Sequence, residues 1–371
     1  MRKRKNAPSA QDKLYMATQW QLMVRKFKKH KLAIIGLFIL ILLYLVALLS
    51  EFVSTQNFIT RNSQHILHQP MQVHLFHEGS FKGPFVYTYA RSNDPLTLKR
   101  IYTEEKTEDS IHPIGLWVRG EKYKLLGVWE SDIHLFGTVD GAPLYLFGTD
   151  AAGRCLFSRT IQGLRLSLTV GLVGVFFTFI LGCFFGGISG YYGGVADLVI
   201  QRMIEFLSSM PSIPLWMALA AAMPKTWTNV QVYFCITIIL SLIGWCSLAR
   251  TVRGKILQLR SEDYVLAAKL HGASDGYIIK KHLLPGFASY LIVNVTLSVP
   301  QMILGETSLS FLGIGLRSPS VSLGVLLKDA QNISAIANSP WLMIPGIFII
   351  LVVLSFNFVG DGMRDAADPY R

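Results

Sequence analysis

The chain has 371 residues, of which 51% are hydrophobic and 16% charged, and a formal net charge of +12. Its apolar residues fall in long blocks, which excludes an ordinary soluble domain. The first 31 residues carry ten Lys/Arg and one acid, Asp12, whereas residues 51–150 carry nine Lys/Arg and twelve Asp/Glu. Basic charge therefore gathers beside the apolar spans on one side, the positive-inside pattern, and this argues against nucleic acid as a partner.

Residues 1–31 read as a basic cytoplasmic segment with an amphipathic helix from Leu14 to Phe27 lying on the membrane surface. Residues 32–50 form the first span: nineteen residues rise about 29 Å, enough for a hydrocarbon core. Its length, the long segment before it and the missing small-residue cleavage site favour an uncleaved anchor over a secretory signal. Residues 51–145 are polar, aromatic and strand-like, an external β-rich insertion if the N-terminus is inside. Leu116–Arg119 and Lys122–Val128 alternate around Gly120-Glu121, which predicts a hairpin; Ile133–Val139 and Ala142–Phe147 around Asp140-Gly141 predict another. Six histidines lie here (His65, His68, His74, His77, His112, His134) without a known ligand spacing, so no metal site is expected. The four cysteines (Cys155, Cys183, Cys235, Cys246) form no CxxC, and no disulfide framework is expected.

Residues 146–371 read as a five-helix membrane core. Read from its residues alone, Leu146–Leu168 is an amphipathic interfacial helix whose arginines reach headgroups. The second span runs from Leu164 to Ile188. Gly174, Thr178, Gly182, Gly186, Gly190 and Gly194 recur every four residues, which predicts one small-residue face for close helix packing. A turn at residues 191–194 leads to Asp197, Arg202 and Glu205, the last two spaced as a helical ion pair. Pro211 and Pro214 should break or kink the third span, Met203–Met223. The fourth span, Val230–Ala249, is followed by Arg250, Arg253, Lys255 and Arg260. The fifth span, Phe287–Phe311, is polar for its position, and Asn294, Ser298, Gln301 and Glu306 are substrate-path candidates. Glu306 has a second reading, a carboxylate meeting water near the outer interface. The sixth span, Trp341–Val359, starts at Pro340 and should be interrupted at Pro345-Gly346.

Between the fourth and fifth spans lies the elbow, YVLAAKLHGASDGYIIKKHLLP, Tyr264 to Pro285. Tyr264–His271 predicts a helix stopped by Gly272, because glycine takes the left-handed conformation without a Cβ penalty. Ser274 should cap a second helix and Pro285 should end it at Leu284.

This elbow resembles the coupling motif of ABC-importer permeases, EAA, three residues, G, nine residues, I-x-LP. Ala267, Ala268, Gly272, Leu284 and Pro285 fit; Leu266 stands for the Glu and His282 for the Ile. The segment before the second span resembles the dipeptide/oligopeptide permease family: Gly148, Thr149, Asp150, Gly153, Arg154, Ser158, Arg159, Gly163, Arg165 and Ser167 fit, and Cys155 replaces an Asp. Phe311–Leu327, with Pro319 and Gly324, and the tail GDGMRDAADPYR resemble further family stretches.

The resemblance implies an all-α polytopic membrane protein: six transmembrane helices of the type I ABC-importer permease fold, with the β-rich insertion between helices 1 and 2. It implies the second permease subunit, of the long external-loop subgroup, in the bacterial cytoplasmic membrane with both termini cytoplasmic. Implied partners are a second permease, two cytoplasmic ABC ATPases, an extracytoplasmic solute-binding protein and membrane lipid. The elbow, 262–286, would dock in the ATPases through Leu266, Ala267, Ala268, Gly272, Ala273, Asp275, His282, Leu284 and Pro285. The solute would be a small peptide, nickel, an opine or an oligosaccharide. The sequence holds no GxxxxGK[ST], HExxH or GxSxG, so no cofactor and no catalytic residue is expected in this chain, and ATP with Mg would be bound by partner subunits. Two other readings compete. A membrane receptor or assembly protein would use the insertion as its ligand domain. A membrane enzyme would have only Glu205 and Glu306 to work with.

Overall fold

The computed structural model describes residues 19–367 apart from 94, 96–99, 225, 317–319 and 332. Residues 14–18 of the expected N-terminal helix, and Pro319, lie outside the described residues; the helix is seen as α1, Gln19–Phe27. Next come α2, Lys31–Leu48, and its short continuation α3, Ser50–Val53. The insertion supplies β1, His74–His77, β2, Ser80–Tyr87, β3, Tyr89–Asn93, β4, Arg100–Glu104, β5, Ile111–Leu125, and β6, Trp129–Thr138. The helical core follows: α4, Leu156–Tyr192, α5, Gly194–Ser209, α6, Ser212–Ala221, and α7, Asn229–Leu259. The elbow begins with α8, Asp263–Leu270. It continues as α9, which joins Asp275–Tyr277, a π-helical stretch Ile278–Leu283, and Leu284–Gly286. The chain closes with α10, Ala288–Phe311, α11, Leu323–Lys328, α12, Ile333–Asn338, and α13, Ile344–Ala367.

Five of these helices are long and apolar enough to cross a membrane: α2, α4, α7, α10, and α13 with the 3₁₀ turn Pro340–Met343 before it. The expected third span is not one helix. It is divided into α5 and α6, bent by 86°, where Pro211 follows the extended Met210. Proline disfavours helical geometry in the residue before it, so the helix stops there instead of kinking. The expected interruption at Pro345-Gly346 does not occur, because Pro345 falls in the first turn of α13, where its missing N–H leaves no bond unmade.

The small-residue stripe does what its spacing predicts. A Cβ on Gly182 would lie 2.8 Å from Leu248, one on Gly186 would lie 2.5 Å from the Ala249 carbonyl, and one on Gly190 would lie 2.9 Å from the Arg253 carbonyl. The backbones of α4 and α7 therefore meet directly. Gly194 is not part of the stripe, since α4 ends at Tyr192 and Gly194 opens α5. The main core gathers α2, α4, α6, α7, α10, α11 and α13 around Leu168, Leu240, Ile303, Leu323 and Val352.

In the insertion, β1, β2, β5 and β6 form one antiparallel sheet in that order, and β3 pairs β4. The expected hairpin turn at Gly120-Glu121 is wrong: β5 runs through it with a register irregularity between Arg119 and Tyr123. A side chain on Gly120 would strike the His134 ring at 2.7 Å, so this glycine serves packing. The turn lies at Leu126-Gly127, both at positive φ, with Val128 N–H donating to Leu125 O. Asp140-Gly141 does turn, but Ala142–Phe147 is not a strand. Leu144 and Tyr145 are instead buried against Met71 and the start of α4.

The 37 residues of α4 span about 55 Å. The insertion packs on its first turns through Phe157 and Ile161, and the elbow packs near its far end through Phe179, Cys183 and Tyr191. Insertion and elbow thus sit at opposite ends of the bundle.

Candidate functional site

The elbow is set by its backbone. α8 ends at Leu270, and Gly272, at φ +79°, turns the chain. Gly272 N–H donates to Lys269 O at 3.0 Å and Ala273 N–H to Ala268 O at 3.1 Å. These two bonds form a Schellman motif, which needs a left-handed residue at the glycine position. Nothing lies within 4 Å of where a Gly272 side chain would start, so conformation and not space within this chain selects glycine.

The second helix differs from expectation in two ways. Ser274 stands at its N-cap, but its side chain makes no capping bond; Asp275 instead accepts from Tyr191 Oη at 2.8 Å, tying α9 to the end of α4. Pro285 does not stop the helix. Leu284 N–H donates five residues back, to Ile279 O, and this π-helical widening accommodates a proline that offers no N–H and crowds the preceding turn.

One face of the elbow is buried and the other is open. Val265, Ile278 and Leu283 pack with Leu248, Val252 and Ile256 of α7, and Ala268, Ala273 and Leu284 close in around them. Leu266, Ala267, Gly272 and Pro285 are exposed, as is Leu270, whose side chain is 87% exposed. His282, at the motif's Ile position, is half-buried near the rings of Tyr277 and Tyr264, 5.6 and 6.5 Å between centroids. Lys269, Lys280 and Lys281 are exposed around this face. It offers a mixed apolar and basic surface to a partner.

At the opposite end, the family-like stretch Leu146–Leu168 is not one interfacial helix: residues 146–155 are a loop, and the remainder opens α4 and is mostly buried. Its arginines point inward. Asp150 is fully buried and accepts from the backbone N–H groups of Ala152 and Arg154, from Arg154 Nε at 2.8 Å and from Arg159 Nη1. Arg159 also faces Asp329 at 3.9 Å. Thr149 Oγ1 accepts from His68 N–H and donates to His65 O, while Trp341 Nε1 donates to Thr149 O. A Cβ on Gly148 would lie 2.5 Å from His68 O and one on Gly153 2.0 Å from Asn62 O. Ser158 Oγ accepts from Gln56 N–H. These residues bind the insertion, α4 and the segment before α13 into one joint. Cys155 stands at the N-cap of α4 without a capping bond.

The four path candidates do not share a face. Asn294, Ser298 and Gln301 recur at i, i+4 and i+7 on a half-buried to exposed stripe of α10. Glu306 lies roughly 120° round the helix from Asn294 and is fully buried, hydrogen-bonded to Ser310 and Ser167.

Several partners were invisible in the sequence. Arg253 pairs with Asp197, and Arg165 with Glu51; in each case the partners come from separate elements. Arg202 and Glu205 pair at 2.7 Å on an exposed surface, as their spacing predicts. Four histidines of the insertion bond neighbouring groups: His77 bonds Tyr87, His74 bonds Glu104, His112 bonds Asp140 and His134 bonds Ser54 O, while His65 Nδ1 and His68 Nε2 are buried without a hydrogen-bond partner among the described residues. Among the described residues no group of three His, Cys, Asp or Glu could hold a metal.

Residues 168–370 match the family model of the binding-protein-dependent transport system inner membrane component. The chain belongs to that family. Residues 18–70 match the N-terminal TM domain of oligopeptide transport permease C. The chain is 42% identical over 226 residues to the oligopeptide transport system permease protein OppC of Haemophilus influenzae, covering 61% of this chain and 70% of the relative. It is 33% identical over 353 residues to the dipeptide transport system permease protein DppC of Lactococcus lactis subsp. cremoris, covering 93% and 89%. A DppC of Alkalihalophilus pseudofirmus is 29% identical over 365 residues, covering 98% and 94%. The chain is therefore a multi-pass inner-membrane permease subunit of a binding-protein-dependent ABC importer, the second subunit in the dipeptide/oligopeptide family. It works with partner ATPases and a solute-binding protein, and it is a transport subunit and not an enzyme. The receptor and enzyme readings are set aside.

Proposed function

We propose that this chain carries small peptides across the cytoplasmic membrane, driven through the elbow by ATPase subunits that bind the ATP and Mg. Two such ATPases, a second permease and an extracytoplasmic binding protein complete the assembly. The names of the relatives support the solute class. The observation that carries the mechanism is the elbow: a rigid Schellman turn whose inner face is buried on α7 and whose outer face, with Leu266 and Leu270, is open. α9 leads through Phe287 straight into α10, so a push on the elbow moves a membrane helix. Closure of the ATPases on ATP would shift the bundle from an inward-open to an outward-open state.

In this reading α5 and α6 count as one broken span, giving six spans of the type I permease fold. Residues 1–31 and the C-terminus are cytoplasmic, 51–145 lies outside, and Asn294, Ser298 and Gln301 border the solute path. The test is reconstitution of the complex purified from native membranes. Uptake of a labelled dipeptide that requires ATP and the binding protein supports the proposal; a complex that binds no ATPase, or hydrolyses ATP without moving any peptide, contradicts it.

A further inference from the structure

Glu306 is a carboxyl inside a membrane helix, and such groups are rare and tend to be functional. It is fully buried. Its Oε1 accepts from Ser310 Oγ at 2.7 Å and its Oε2 from Ser167 Oγ of α4 at 3.2 Å. Each hydroxyl in turn accepts a backbone N–H: Ser310 from Leu316 at 3.3 Å, and Ser167 from Leu323 at 3.2 Å. Beside Leu323, the Ser322 hydroxyl accepts from Val325 N–H at 3.2 Å and caps the helix that follows. Leu316, Ser322 and Leu323 all belong to the segment after α10, residues 312–316 and 320–328, which caps the insertion end of the bundle. The cap's backbone lies directly on the helices. A Cβ on Gly324 would be 2.7 Å from Thr307 Cα, and one on Gly163 would be 3.1 Å from Ser322 C.

Relays starting at one carboxyl thus end on two amides of the cap. Breaking them would leave a buried carboxyl without partners in an apolar bundle, a state far less favourable than the docked one. That makes the joint two-state and stiff. α10 begins just after the elbow and carries Glu306 near its other end. We propose that Glu306 is a positioning residue that fastens the cap to α10 and α4, so that displacement of the elbow reaches the far mouth of the transporter as movement of the cap. The fastening itself is independent of what drives the elbow; only the transmission rests on the function proposed above.

The test uses the whole complex in lipid nanodiscs and reads hydrogen exchange in residues 312–328 together with peptide moved per ATP hydrolysed. Glu306→Ala should speed that exchange by at least about tenfold and lower transport per ATP, with assembly and ATP hydrolysis kept. Glu306→Gln, which retains an acceptor oxygen and the shape, should recover most of both. Ser167→Ala removes one relay and should give intermediate exchange in an assembled complex. Wild-type exchange in both alanine variants overturns the proposal. So does a Glu306→Ala complex that fails to assemble while Ser167→Ala exchanges and transports as wild type. Gly272→Val addresses the elbow alone and should leave exchange in the cap unchanged.

Discussion

Arg253 of α7 grips Asp197 of α5 with two parallel hydrogen bonds, Nε to Oδ1 and Nη2 to Oδ2, both 2.6 Å. Asp197 lies in the first turn of α5, where its charge also suits the helix dipole. The pair ties the start of α5 to α7. Arg253→Lys keeps the charge but loses the fork. It should destabilise the complex by about 1–2 kcal/mol, and Asp197→Asn combined with it should add little. A double-mutant cycle on thermal unfolding in detergent checks this; additive effects would mean the two side chains act independently.

Gly272→Val should leave membrane insertion intact and abolish coupling. A β-branched residue at φ +79° is disfavoured by roughly 1–2 kcal/mol or more, and the Schellman bonds from Gly272 and Ala273 would be lost. Since no atom of this chain crowds the site, an effect cannot come from a clash within the subunit. The measurement is peptide-stimulated ATP hydrolysis beside the yield of inserted chain.

The glycine stripe offers a sterically opposite case. Gly186→Leu would drive a side chain into the Ala249 carbonyl and Val252. Overpacking of this kind costs about 1–3 kcal/mol, and more where backbone must move. The expected outcome is a lower unfolding temperature and a separated α4–α7 pair, read as faster exchange in both helices. Gly254→Leu on α7, where a Cβ meets nothing within 4 Å, should be mild.

Acid should loosen the insertion. His68 is fully buried among Tyr89, Tyr102 and Tyr145. Burial pushes its pKa down to about 4, with the Gln69 carbonyl opposing and His65 adding to the shift. The unfolded chain takes a proton near the ordinary 6.5, so the folded state's advantage is complete above that value and is lost as pH falls toward 4. Glu104 acts in the same direction: burial would raise its pKa, but hydrogen bonds from His74 and Tyr89 outweigh this and hold it low. Unfolding of the insertion, followed by near-UV circular dichroism, should come about 2 kcal/mol easier at about pH 5 than at pH 7. His68→Gln should flatten the dependence.

What the sequence revealed was local. Long apolar runs located the membrane helices, four-residue spacing located the α4–α7 seam, and Gly272 located the turn of the elbow, because each signal needs only neighbouring residues. What it hid depends on residues far apart in the chain. The knot at Asp150 draws on Arg159, while its neighbour Thr149 holds His65, His68 and Trp341. The spacing along its own helix gave Glu306 no partner on α4, because Ser167 stands 139 residues away in the chain. Turn chemistry misled at one hairpin: Gly120 is a packing glycine, and the real turn uses Leu126 at φ 52°, a conformation leucine rarely adopts. Prolines misled where their position decides their effect, at Pro285 in a π-helical stretch and at Pro345 in a first turn.

The central claim is that the exposed face of the elbow is where the ATPase pushes. A photo-crosslinking amino acid at Leu270, 87% exposed on that face, in the assembled transporter tests it directly. The account predicts an adduct with a phosphate-loop ATPase subunit whose yield changes when ATP is added. Adducts only with lipid, with the other permease, or with no protein at all would contradict it.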